Sequence, residues 1–291
     1  MWQKAEPSQQ KGGYMPLLIN TNVASINAQR FMATSQREVG KSYAQLASGS
    51  RITKAADDAA GLSISENLKS RIRGYTQAQR NANDAMSVVQ IAEGGLNEIS
   101  NIMTRLRELG VQAASDNIGD TERGFVDKEV QHLVAEVDRI AKSTRFGDVK
   151  MIDGSGSLFS FQVDIGNNDD VDRISFDASE TEATASSLGI SGFDFKDIEG
   201  ARSALDTIEK GLAKVNGFRA NLGAIQNRMI STSDNIGVAI ENLSAANSRI
   251  RDTDVAASSA ELTKNNILLN ATVAVLAQAN QFPAIGLKLL S

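Results

Sequence analysis

The 291-residue chain has no cysteine, one histidine (His132), one tryptophan and three prolines. Without thiols it can form neither disulfides, thiolate nucleophiles nor cysteine-based metal sites, and it carries no redox hazard outside the cell. Aromatic residues make up 5% of the chain, too few for a core built on large ring anchors. The plentiful alanine, serine and asparagine favour close contact along extended helices instead. Basic charge is not in excess: the net charge is −5 and Lys and Arg are scattered among acids. That is the pattern of a solvated helical surface and not of a nucleic-acid binder. No apolar run approaches the roughly 20 residues that span a bilayer, so membrane insertion is not expected. The opening stretch, MWQKAEPSQQKGGYMPLLINTN, lacks the apolar segment of a cleavable secretory signal. Export would need a route that reads something else.

Chemical constellations are equally sparse. His132 has no H-E-x-x-H context and no clustered ligands, and reads as a helix-surface or packing residue. Asp57 and Asp58 are adjacent, and adjacent helical positions do not face each other, so one of them is expected to cap a helix. GNNDDVD (166–172) lacks the ordered spacing of a calcium loop. Neither EGG (93–95) nor GSGS (154–157) has the strand, helix and Lys-Ser/Thr context of a phosphate loop. No catalysis, cofactor or metal is expected.

What is present is helical periodicity. The prolines stand only at Pro7, Pro16 and Pro283, so the chain between the last two is free to be helical. Residues 1–14 are polar and aperiodic and are expected to be a disordered extension. Leu17–Leu46 is amphipathic, with Met32, Val39 and Leu46 at seven-residue spacing. Ala47–Asp57 reads as a connector. Leu62–Ala114 reads as a long helix with an apolar stripe of Ile91, Leu96, Ile99, Met103, Leu106 and Leu109. A loop at Ser115–Asp120 leads to a helix at Thr121–Lys142, with the stripe Phe125, Val130, Leu133, Val137 and Ile140. Ser157–Ile165 alternates with period two and is answered by Asp172–Phe176, which predicts a β-hairpin. Ser179–Ser187 reads as a surface loop. Helical pattern resumes near Ile198 and runs almost to the end. Val255, Leu262, Leu269 and Leu276 recur every seven residues as a packing seam. One helix over Ile198–Leu276 would be roughly 115 Å long, with Gly211, Gly217, Gly223 and Gly237 as expected bends or breaks.

The terminal helices are expected to pair antiparallel, and they look unfinished. Ile267, Leu268, Leu269, Val273, Val275 and Leu276 cover most of the last helix's circumference, and a helix apolar all round is normally buried. One partner helix cannot bury it completely, and exposed apolar surface of this extent marks an interaction site. Interleaved Asn266, Asn270, Gln278, Asn280 and Gln281 argue against lipid, because unsatisfied amides are costly in hydrocarbon. Copies of the chain are the expected partner, and a contact that does not close into a ring generates a filament.

Several long stretches resemble bacterial flagellin: INTNVASINAQR (19–30), LASGSRITKAADDAAGLSISENLKSRIRG (46–74), RNANDAMSVVQIAEGGLNEISNIMTRLRELGVQAA (80–114), LGAIQNRM (222–229), ENLSAANSRIRDTDVA (241–256) and ANQFPAIGLKLL (279–290). The resemblance covers essentially Met15–Ser291, and residues 1–14 have no counterpart in it. It implies a mainly α fold: an elongated, antiparallel long-helix coiled-coil rod with a small β-hairpin region. The implied division is an inner domain from 15–50 and 253–291 and a rod domain at 51–252, with the hairpin region at 146–190 and no outer variable domains. The terminal helices would then meet other copies through Ile19, Val23 and Ile26 at one end. At the other end Leu262, Leu269, Val273, Leu276, Phe282, Leu287, Leu289 and Leu290 would do so.

The same resemblance implies a secreted protein of the extracellular flagellar filament, exported through the flagellar type III apparatus and polymerised under a cap. Its implied partners are copies of itself, an export chaperone, the filament cap and the hook–filament junction proteins. Some flagellins are sensed by a vertebrate innate immune receptor, at positions that correspond here to Arg105, Leu109 and Glu129. The competing expectations are a hook–filament junction protein, which shares the terminal helices, and a surface glycan-binding or adhesin homologue.

Overall fold

The computed structural model describes the backbone of residues 21–288 and the side chains as far as Gln281. The extension 1–14, the expected start of the first helix at Leu17, and Ile19, Leu289 and Leu290 lie outside the described residues, as do the side chains of Phe282 and Leu287. The described chain is mainly α. Its helices are α1 (Val23–Ser48), α2 (Ala59–Ala113), α3 (Asp120–Ser143), the single turn α4 (Asp169–Asp172), α5 (Ile198–Arg251) and α6 (Val255–Lys288). The strands β1 (Arg145–Phe146) and β2 (Val149–Lys150) form one antiparallel pair, and β3 (Leu158–Gln162) and β4 (Arg173–Asp177) form another. Two compact units result, Met1–Glu66 with Asn247–Ser291, and Asn67–Ala246.

In the second unit long helices bury a heptad line, as helices packed side by side do. Along α2 this line runs through Ala82, Ala85, Val89, Ala92, Leu96, Ile99, Met103, Leu106 and Ala113, all buried. Along α5 it runs through Ala201, Ile208, Val215, Leu222, Met229 and Ile236, each buried and seven residues from the last. Ile236 aside, these side chains share one core with Val130 and Val137 of α3 and with Met151, Ile174, Phe176 and Phe195 from the segment between α3 and α5. The β3–β4 hairpin was legible in the alternation; its register pairs Phe159 with Phe176 and Phe161 with Ile174. The turn-rich stretch between the strands contains the α4 turn, and β1–β2 is a second, smaller hairpin that the sequence reading did not include.

Four expectations require correction. Ser179–Ser187 is not a surface loop, since Thr181, Ala183 and Ala185 are buried and the two alanines belong to the core. Ile91 is 40% exposed and Phe125 64% exposed, so neither belongs to a core stripe. On α3 the buried line instead runs through Arg123, Val126, Asp127, Val130, Val137 and Ala141. The two charged members fit because their polar atoms are met. The Arg123 guanidinium donates to the Ala113 carbonyl at 3.1 Å and the Ser115 carbonyl at 3.0 Å, closing the end of α2. Asp127 accepts the Phe195 N–H at 3.1 Å. Lastly, Gly211, Gly217, Gly223 and Gly237 leave α5 unbroken, and the interruption falls at 252–254. There Asp254 caps α6 by accepting the N–H groups of Ala256 and Ala257 at 2.9 and 3.1 Å.

In the first unit α1 and α6 run antiparallel. Asn22 lies against Ala279 at one end, and Ser50 bridges Asp252 at the other. Gly49 ends α1 with φ +67°, a left-handed turn that favours glycine. Arg51 then closes α5: its N–H donates to the Arg251 carbonyl at 2.6 Å and its guanidinium to the Ile250 carbonyl at 2.7 Å. A cation on the last carbonyls of a helix is favoured by the helix dipole. The Asp57/Asp58 alternative resolves in favour of Asp58, which accepts the Gly61 N–H at 2.8 Å at the start of α2. Asp57 organises the connector instead, accepting from the Thr53 hydroxyl at 2.9 Å and the Lys54 N–H at 3.0 Å.

Candidate self-association surface

The α1–α6 pair is held by heptad lines on both helices. On α1 the line runs through Ser25, Ala28, Met32, Ser35, Val39, Ser42 and Leu46, each buried or half-buried. On α6 it runs through Leu262, Asn265, Leu269, Thr272, Leu276 and Ala279, likewise buried or half-buried. Large apolar residues alternate with small or polar ones, which lets the helices approach closely but gives each layer little apolar area. Leu262, Leu269 and Leu276 thus face the partner helix of their own chain, half-buried.

Outside this seam the pair remains apolar. Val255, expected in the seam with Leu262, Leu269 and Leu276, is 63% exposed and lies outside it. Val23, Ile26, Phe31 and Tyr43 of α1 are exposed too, as are Ile267, Leu268, Val273 and Val275 of α6. On α6 these residues fall on three sides. Leu268 and Val275, seven apart, flank one edge of the seam, Val273 flanks the other, and Ile267 stands on the back at 63% exposure. Full burial of such a side chain is worth about 1.5–3 kcal/mol, and each of these nine is roughly half-exposed or more. Covering them would supply on the order of 10 kcal/mol per chain, comparable to the roughly 4–15 kcal/mol that association costs in lost freedom. The gain available from this surface is of the same order as that cost.

The anticipated contact residues therefore separate. Val23, Ile26 and Val273 are presented outward, the three leucines are shared with the intramolecular seam, and the remainder lie outside the described side chains. Phe31 and Tyr43 were missed because charged and polar neighbours (Arg30, Arg37, Glu38, Lys41) surround them in the sequence. Their signal is that both fall off the heptad line.

The connector carries the one strongly displaced carboxyl described near this surface. The Thr53 hydroxyl foremost, then the Lys54 and Thr53 N–H groups, hold Asp57 down to about 2, with the Lys41 ammonium 3.4 Å away. In the second unit Arg105 and Glu129 meet across α2 and α3 at 2.9 Å, and Arg105 also pairs with Glu108. Leu109 belongs to the core at 2% exposure. His132 is exposed on α3. No group of three or more His, Cys, Asp or Glu side chains is placed to hold a metal among the described residues. No helix among them is long and apolar enough to cross a membrane.

Comparison with known proteins follows the same two ends of the chain. A family profile for the bacterial flagellin N-terminal helical region matches residues 19–157, and one for the C-terminal helical region matches residues 205–290. The flagellin of Halalkalibacterium halodurans is 40% identical over 274 residues, spanning 94% of this chain and all of that protein. The flagellar filament 30.7 kDa core protein of Treponema maltophilum is 39% identical over 287 residues, again with 94% and full coverage. A Vibrio parahaemolyticus structure assigned to the flagellar hook-associated proteins superposes with a TM-score of 0.57 at 13% identity, over 67% of this chain and all of that one, and shares the fold alone. With both helical ends matched and relatives aligned over nearly its whole length, this chain belongs to the bacterial flagellin family.

Proposed function

We infer that the chain is a structural subunit of the bacterial flagellar filament, acting by packing against copies of itself and not by catalysis. The observation that carries this reading is the apolar surface that α1 and α6 leave uncovered after pairing, spread over three sides of α6. A single two-fold contact covers one patch on each copy, whereas surface on three sides calls for several neighbours in a heterologous, non-closing arrangement. Relatives named as filament core proteins support the same reading.

The inner division at 15–50 and 253–291 and the rod division at 51–252 belong to this proposal. So do export to the cell exterior and encounters with an export chaperone, the filament cap and the hook–filament junction proteins. A vertebrate receptor engaging the α2–α3 face would meet the Arg105–Glu129 pair, with Leu109 acting from the core by fixing the backbone that presents it.

Electron microscopy of the purified chain after salt-induced assembly tests the central claim. Long helical filaments are expected. Short closed rings would point to a junction role, and a monodisperse monomer at high concentration would overturn the filament reading.

A further inference from the structure

The α1–α6 pair contains a hydrogen bond that neither helix completes alone. In an α-helix the carbonyl of residue 279 accepts from the N–H of residue 283. Residue 283 is proline, which has no N–H to donate. Helix α6 nonetheless continues to Lys288, and Ala279 is 3% exposed. A buried carbonyl without a donor is unfavourable enough to shift an equilibrium about ten-fold.

The donor comes from the other end of the chain. Asn22 Nδ2 donates to the Ala279 carbonyl at 2.7 Å. The Oδ1 of the same amide accepts the Ser25 N–H at 3.0 Å, as the N-cap of α1. Ser25 Oγ then donates to Asn280 Oδ1 at 2.8 Å. One planar amide closes the first turn of α1 and the interrupted turn of α6. An aspartate has no donor for the second task, and a serine is too short to span both.

We propose that Asn22 is a positioning residue that sets the register of α1 against α6 by supplying the donor that Pro283 withholds. Register follows because the free carbonyl is local. One turn back along α6, the Val275 carbonyl already has the Ala279 N–H as its helical donor, so a slipped pair offers Asn22 nothing to bind. The inference rests on the filament reading in one respect: this register fixes which flanks of α1 and α6 face neighbouring copies.

The test compares four full-length chains: unsubstituted, Asn22→Asp, Pro283→Ala and the double variant. Asn22→Asp keeps the cap oxygen and replaces the donor by a carboxylate oxygen, while Pro283→Ala restores an internal donor. The free-protein concentration in equilibrium with polymer is expected to rise about ten-fold for Asn22→Asp when Pro283 is present. In the Pro283→Ala background the same change should stay within about two-fold. Hydrogen exchange over residues 23–32 and 269–281 gives a second readout: Asn22→Asp should accelerate exchange on both helices only when Pro283 is present. No effect of Asn22→Asp, equal effects in both backgrounds, or uniformly rapid exchange in all four chains would overturn the proposal. An unsubstituted chain that never polymerises defeats the filament reading separately, and exchange on the soluble chain still decides the role of Asn22.

Discussion

Asp57 gathers the Thr53 hydroxyl and two backbone N–H groups onto one carboxylate, which explains why its pKa falls to about 2. A carboxyl whose folded value is depressed contributes stability that is complete above its ordinary range near 4. That contribution is lost as pH falls through the folded value. The Thr53 and Lys54 amide resonances should therefore titrate with a midpoint near 2, and Asp57→Asn should remove that transition. A midpoint near 4 would contradict the connector geometry. Sequence reading placed a cap at Asp57 or Asp58 but could not assign it, since both residues carry the same chemistry one step apart. Phe125 failed for a related reason. Arg123 and Asp127 occupy the buried line of α3, and a hydrophobicity pattern cannot see a charge whose partners make it fit for burial. Asn22 was not singled out in the sequence, because the partner that gives it a role stands 257 residues away.

The long helices are where sequence and structure agree best, because a seven-residue repeat sustained over several turns leaves few alternatives. The misplaced Ile91 shows the limit. At its level α2 buries Val88, Val89 and Ala92, so a small residue holds the seam and the larger one points outward. The adjacent glycines of EGG make the same distinction testable. A Cβ at Gly94 would meet nothing within 4 Å, whereas one at Gly95 would lie 2.6 Å from Thr144 Oγ1 and 2.8 Å from Ile152 Cδ1. Helix propensity alone predicts that both gain from alanine by about 0.5–1 kcal/mol. Packing predicts that only Gly94→Ala gains, while Gly95→Ala loses about 1–3 kcal/mol through crowding. Chemical denaturation of the two variants separates these outcomes, and equal gains would refute the close approach at Gly95.

For the whole molecule the useful contrast lies between the seam and the surface outside it. Ile267→Asp and Val275→Asp should abolish polymerisation while leaving helical content and the denaturation of the second unit unchanged, as read by circular dichroism alongside sedimentation. Leu269→Ala acts on the intramolecular pair and should weaken α1–α6 docking as well as assembly. Deleting 282–291 should likewise stop polymerisation with the second unit still folded. Normal filaments from the outer-face variants would show that these side chains do not meet other copies. The leucine seam was readable from its seven-residue spacing, but not which of the flanking valines and isoleucines stay uncovered, because all have similar hydrophobicity. Only their angles about the helix axis, once α1 is in place, tell inside from outside.

The two halves of the terminal pair come from opposite ends of the polypeptide, so α1 waits through nearly all of synthesis for α6 to exist. A ribosome that stalls early, or a message cut short, releases a product with one half of the pair and no matching partner. A product that lacks α6 should therefore fail to join the growing polymer.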